Sequence, residues 1–173
     1  MDARNALRSA QDKLSDIERD IRDRKEDLED ENYGPGGVFR QLKGRCFIKD
    51  TGEYEYEHCF LDRTRQISKK GGMSVGLGQF QRVGQVDVDE VDESTGRIVK
   101  AQRTTLEYDR GQKCWNGPQR STRVRLECGG KDEVVQVRED EMCVYSMVAT
   151  TPAVCEEDDG EASKEDGSRK DEL

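Results

Sequence analysis

Apolar and polar positions recur with two different periods along this chain, and the period changes near residue 33. In residues 1–32, Leu7, Ala10, Leu14, Ile17, Ile21 and Leu28 recur at steps of three and four, with Arg24 in the one missing seam position. That spacing predicts one amphipathic helix carrying a coiled-coil-like heptad seam. So narrow a stripe cannot be buried by its own helix. It calls for a partner helix, a second copy or another subunit, because a lone helix of this length is marginal in water. The stretch "YGPGG", residues 33–37, ends the pattern and reads as a hinge of one proline and three glycines.

From residue 38 to 155 the period is two. In "GEYEYEHCF", Tyr54, Tyr56 and His58 share one face and Glu53, Glu55 and Glu57 the other. In "TRVRLEC", Val124, Leu126 and Cys128 alternate with Arg123, Arg125 and Glu127. "EVVQV" and "CVYSMV" are similar, short and bounded by glycine or charge. Several short alternating strands with turn signals predict an all-β flattened barrel or sandwich. "VDVDEVDESTGR", residues 86–97, reads as a long acidic hairpin with Ser-Thr-Gly at its tip. Its alternating carboxylates raise the question of calcium, but the spacing misses the EF-hand pattern, which favours a solvated hairpin. Residues 156–173 have almost no apolar side chain and are expected to be a disordered acidic tail.

Charge sharpens this division. The net charge is −9, but residues 1–32 carry −4 and residues 156–173 carry −6, which leaves 33–155 near neutral at +1. No basic tract points to nucleic acid or an anionic membrane. No apolar run is long enough to span a bilayer as a helix. The chain ends in "KDEL", an address read by a retrieval receptor, the KDEL receptor, and this implies the endoplasmic reticulum lumen. The start, "MDARNALRSAQDKL", has no apolar signal core, so the expectation is a trimmed chain, or else an appended address.

All six cysteines, Cys46, Cys59, Cys114, Cys128, Cys143 and Cys155, lie in the neutral middle. In an oxidising compartment they read as three disulfides, with 15 pairings open on spacing alone. Zinc is the weaker alternative, since there is no Cys-x-x-Cys pair and His58 is the only histidine. A catalytic triad could run only through His58, which sits beside a cysteine on a strand and reads as structural. No paired carboxylates, Walker loop or dinucleotide fingerprint stands out, and no cofactor is called for. What remains is a binding vocabulary. Glutamate accepts from adjacent hydroxyls, arginine and glutamine donate to them, and aromatic faces cover the C–H side of a sugar ring.

"CWNGPQRS", Cys59 with Gln66, "EDEMCVY" and the terminal KDEL together resemble the mannose 6-phosphate receptor homology (MRH) domain, in the branch found in glucosidase II β subunits. The resemblance covers about residues 35–155, and the helix before and acidic tail after also suit that branch. It implies an MRH-type lectin fold and pairings Cys46–Cys59, Cys114–Cys143 and Cys128–Cys155. It assigns mannose contacts to Gln66, Arg120, Glu139 and Tyr145, with Asp140 and Glu141 close enough to Glu139 for a register slip. Trp115 would shape the pocket, or else be plain core. The implied role is that of a non-catalytic, regulatory subunit. It would bind terminal α-mannose of high-mannose N-glycans and promote glucose trimming by a catalytic α subunit, which would be engaged through regions outside this chain. The alternative is a disulfide-stapled interaction module that acts through the helix 1–32 without sugar binding. Relative to the branch, the 47 residues between Gln66 and Cys114, which include the acidic hairpin, run long.

Overall fold

The computed structural model describes residues 2–29, 31–92 and 94–155. The acidic tail 156–173 and its KDEL lie outside them. One helix, α1 (Asp2–Glu29), precedes eight strands: β1 (Cys46–Asp50), β2 (Tyr54–Cys59), β3 (Arg63–Ser68), β4 (Ser74–Val91), β5 (Ile98–Asp109), β6 (Ser121–Cys128), β7 (Glu133–Glu141) and β8 (Val144–Thr151). The helix ends at Glu29, three residues short of the sequence reading, and Glu31–Tyr33 is a separate 3-10 turn.

The strands form one sheet in the order β1-β2-β3-β4-β5-β6-β8-β7. Neighbours are antiparallel except β6 and β8, which run parallel. The edge strands β1 and β7 approach each other, and Arg45 just before β1 pairs with Asp132 just before β7 at 3.3 Å. The sheet therefore curls into a nearly closed barrel, which leaves little open edge to pair with another chain.

Alternation decides what the barrel encloses. On β6, Thr122, Val124 and Leu126 are buried while Arg123, Arg125 and Glu127 face outward. On β8, Tyr145, Met147, Ala149 and Thr151 are buried. These residues join Leu77, Leu106, Tyr108 and Phe60 in one core. His58 is fully buried there, edge-on to Tyr108 and 4.7 Å from the Phe60 ring centroid. Its Nε2 lies 2.9 Å from the Tyr108 hydroxyl. Burial pushes its pKa down to about 3, so the imidazole is neutral in the fold. Three disulfides, Cys46–Cys59, Cys114–Cys143 and Cys128–Cys155, tie the barrel together.

The segment between helix and barrel is held at both ends, because Tyr33 and Phe39 are buried in the core. Gly34 has φ 76°, and a side chain there would strike the Phe39 ring, so only glycine fits this bend. The C-terminal turn of α1 is anchored by Asp27, which accepts hydrogen bonds from the Tyr33 hydroxyl, Arg40 and Lys43. Above that anchor the seam side chains Leu7, Leu14, Ile17, Ile21 and Leu28 are exposed.

The acidic hairpin is real and long. β4 and β5 pair from Gln79↔Asp109 to Val91↔Ile98. At its tip the Asp92 carboxylate accepts from the Ser94 and Thr95 amides and the Ser94 hydroxyl, which closes the turn. Glu90 pairs with Arg103, and Asp89 with Lys100 at 3.6 Å. These carboxylates are therefore occupied by the hairpin itself.

Candidate functional site

The inward-facing side chains at one end of the barrel converge on Tyr145. Across the sheet, Tyr145 stands opposite Thr122 on β6 and Glu139 on β7. Tyr56 on β2 approaches it from the other side of the barrel, with ring centroids 6.4 Å apart. Gln66 on β3 is the cross-strand partner of Tyr56, and its Nε2 donates to the Tyr56 hydroxyl at 2.8 Å. Gln66, Tyr56, Tyr145, Glu139 and Arg120 thus form one polar cluster assembled from β2, β3, β7, β8 and the turn before β6.

Each polar group is held from behind. The Arg120 Nη1 donates to the carbonyls of Gln112 and Lys113, both at 3.1 Å. Its buried Nε has no partner among the described residues, and its side chain also hydrogen-bonds Tyr145. Gly111 packs so closely that a Cβ would lie 2.6 Å from the Arg120 carbonyl. Its N–H donates to that carbonyl at 2.9 Å. Only glycine allows this approach, which sets the height of the Arg120 turn. The Glu139 Oε1 accepts from the Cys143 N–H at 2.7 Å. The Cys114–Cys143 bond joins the Arg120 turn to the Glu139–Tyr145 hairpin.

The electrostatics agree with the geometry. Tyr145 is 4% exposed. Burial raises its pKa, the Arg120 hydrogen bond lowers it and nearby Glu139 raises it. Tyr56 is raised by burial, against the Gln66 hydrogen bond, and also feels Tyr145 and Glu139. Both phenols therefore stay protonated at neutral pH, each with an O–H to donate. The cluster holds donors, acceptors and two aromatic faces within one end of a stapled barrel. That set suits the hydroxyls and C–H face of a polar ring.

Not every candidate lands in the cluster. Trp115 is 87% exposed. It is therefore not core, and it makes no ring contact with the cluster among the described residues. Asp140 falls on a bulge between the Glu139↔Tyr145 and Glu141↔Val144 pairs. That leaves Glu139 as the carboxylate opposite Tyr145. Tyr56 escaped the sequence reading as a site residue. Its signal was its place on the Tyr54–Tyr56–His58 face, but nothing local distinguishes a tyrosine that faces a pocket from one that fills a core. Cys46, Glu57 and Cys59 lie within 4.8 Å of one another, but both sulfurs are used in a disulfide. Glu57 is bonded by Arg65 at 2.7 and 2.9 Å. This is an ion pair over a staple and not a metal cradle.

Comparison with known proteins fits this architecture. A family model described as glucosidase II beta subunit-like protein matches residues 3–170. The glucosidase 2 subunit beta of Mycosarcoma maydis is 40% identical over 82% of this chain and 24% of its own length. The human glucosidase 2 subunit beta is 35% identical over 78% of this chain and 23% of its own length. The chain thus spans about a quarter of the length of these relatives. A crystal structure of the MRH domain of glucosidase II beta bound to mannose matches at 31% identity and TM-score 0.48, covering 68% of this chain and 99% of that one. A solution structure of the Yos9 MRH domain complexed with α3,α6-Man5 shares the fold at TM-score 0.52 and 22% identity, covering 68% of this chain and 82% of that one. With a model match over nearly its whole length and an eight-stranded stapled barrel of the MRH type, the chain belongs to the glucosidase II beta subunit-like family.

Proposed function

We propose that this chain is a non-catalytic lectin domain that binds terminal α-mannose of high-mannose N-glycans. The observation that carries the reading is the single cluster of Gln66, Tyr56, Tyr145, Arg120 and Glu139 at one end of the barrel. Glu139 would accept from two neighbouring hydroxyls. Arg120 and Gln66 would donate to ring hydroxyl oxygens, and a tyrosine face would cover the apolar side. Preorganisation matters because each sugar contact replaces one with water, and the disulfide and backbone bonds behind the cluster reduce what binding must still order. In a complete glucosidase II the domain would hold the glycan near the catalytic α subunit. It would promote glucose trimming by raising effective concentration, with no chemistry of its own. KDEL would return the complex to the endoplasmic reticulum lumen through its receptor.

The test is calorimetry of the oxidised chain with a high-mannose glycan, with free mannose as competitor. Arg120→Ala and Glu139→Gln should each lower affinity by at least about tenfold, since each removes a charge-assisted hydrogen bond, with an unchanged circular dichroism spectrum. Normal binding by either variant would sink the site. A second reading, an interaction module acting through α1, rests on the exposed seam of that helix. Removing residues 2–26 separates the two, because the lectin reading expects mannose binding to survive.

A further inference from the structure

The outer face of the barrel carries a second concentration of polar groups, back to back with the cluster just described. Alternation places Tyr145 inward and Ser146 outward. The outward row across the sheet reads Glu107↔Arg123↔Ser146↔Arg138. The next row reads Thr105↔Arg125↔Val148↔Gln136. Three guanidiniums thus stand on adjacent rows around the Ser146 hydroxyl, with neighbouring strands about 4.8 Å apart. The distal half of the β4–β5 hairpin leans over these rows, and Val86 and Val88 form the opposite wall of a cavity of about 310 Å³.

The charges in this cavity are not balanced. Arg123 reaches Glu107 only at 3.8 Å, and that carboxylate is already bonded by Arg82 at 2.7 Å. Arg125 uses Nε and Nη2 on one oxygen of Glu127, at 3.1 and 2.8 Å. Arg138 meets no carboxylate among the described residues. With the Gln136 amide turned so that its oxygen faces the guanidinium, Arg138 Nη2 donates to that neutral oxygen at 2.7 Å. Asp87 is the one acidic residue lining the cavity, against Arg123, Arg125 and Arg138, and with Glu127 engaging Arg125 from outside it the balance is an excess of one positive charge. A separate feature points the same way. Thr105 lines the cavity, is completely buried, and its hydroxyl has no partner among the described residues. A buried hydroxyl left unbonded carries a desolvation cost that a ligand oxygen would relieve once the side chains over it shift to admit one.

We infer that this outer-face cavity is a binding site for a phosphate dianion or a small phosphomonoester, held by Arg123, Arg125 and Arg138 and by the Thr105 and Ser146 hydroxyls. An anion matches Arg138, which no carboxylate pairs among the described residues, and the loosely paired Arg123. A tetrahedral oxyanion offers acceptors to several forks and hydroxyls at once, where a carboxylate offers two oxygens. The volume sits at the lower end for small-molecule sites, which suits a phosphate on a small organic body. The apolar wall of Val86, Val88 and Val148 would take that body. The long hairpin then has a use, because without its distal half the arginine rows would face open water.

The experiment is a titration of the oxidised chain with inorganic phosphate, followed by calorimetry and by nuclear magnetic resonance of the amide and arginine Nε–H signals. Saturable shifts at Thr105, Arg123, Arg138 and Ser146 are expected. Arg138→Gln, an exposed change, should weaken phosphate binding about tenfold and leave mannose binding at its original strength. Thr105→Val keeps the shape without the hydroxyl and should weaken phosphate binding several-fold, with its melting curve as the check on folding. The inference is overturned if the shifts never saturate, or if Arg138→Gln responds like the unmodified chain. Acetate competing as well as phosphate at equal concentration would also overturn the assignment to phosphate. Mannose binding is read separately, so loss of one site is distinguishable from loss of the other.

Discussion

Tyr56 shows how much of a site can rest on one hydroxyl. It accepts from Gln66 at 2.8 Å and faces Tyr145 across the barrel end, so it both orients the glutamine and shapes the cleft. Tyr56→Phe should weaken mannose binding about tenfold by calorimetry, with a melting temperature within a few degrees of the parent. An unchanged affinity would remove Tyr56 from the site. His58 illustrates the opposite case, a titratable group whose whole role is packing. Its folded pKa of about 3 lies below the ordinary 6.5, so between these values the unfolded chain binds the proton and the folded chain does not. Stability therefore rises with pH in that window and falls as the pH drops below about 6.5, at up to about 1.4 kcal/mol per pH unit. Urea unfolding from pH 7 to pH 4 should show that slope. His58→Phe should flatten it, although loss of the Tyr108 contact will lower stability at neutral pH.

At the scale of elements, α1 behaves as an attachment and the hairpin as a cover. The helix meets the barrel through Asp27, where Tyr33, Arg40 and Lys43 converge, and Arg40 also stacks on the Tyr33 ring at 4.2 Å. Asp27→Asn should loosen that joint. Limited proteolysis within residues 2–29 should speed up several-fold while mannose affinity stays unchanged. Equal cleavage rates would mean that Tyr33 and Phe39 alone hold the helix end. The helix itself was legible in the sequence because its 3.6-residue period is local and needs no partner to be read. Its true end at Glu29 was less legible, since the polar stretch "EDEN" offers neither a glycine stop nor a change of period before Tyr33.

The whole molecule depends on staples because its core is modest for 173 residues. Cys114–Cys143 spans 29 residues and crosses from the Arg120 turn to the Glu139 hairpin. Replacing both cysteines by serine should cost about 2–4 kcal/mol in urea unfolding and should also reduce mannose affinity, because Arg120 and Glu139 lose their common anchor. Replacing Cys46 and Cys59 should cost similar stability and lower mannose affinity less, since that bond touches neither Arg120 nor Glu139 and reaches the site only through Tyr56 on β2. If both pairs affected binding alike, the Cys114–Cys143 bond would have no special positioning role. The comparison separates general stabilisation from local preorganisation.

The sequence by itself determined the helix, the β-rich middle and the division of charge, because hydrophobic period and net charge are properties of consecutive residues. Gln66, Arg120, Glu139 and Tyr145 became candidates through the resemblance to the MRH family, carried onto their positions relative to the cysteines. Only the tertiary structure decided which faces meet. The parallel β6–β8 pairing sets Thr122 beside Tyr145 and places β7 outside β8, a non-local arrangement that no window of sequence contains. Barrel closure brings Tyr56 to Tyr145 across 89 positions. The solvent exposure of Trp115 was equally out of reach, since a turn residue can point either way until its surroundings are packed. The arginine rows on the outer face were visible as alternation, but their cavity exists only where the hairpin bends over them. Periodicity tells which residues share a face, and packing alone tells what that face touches.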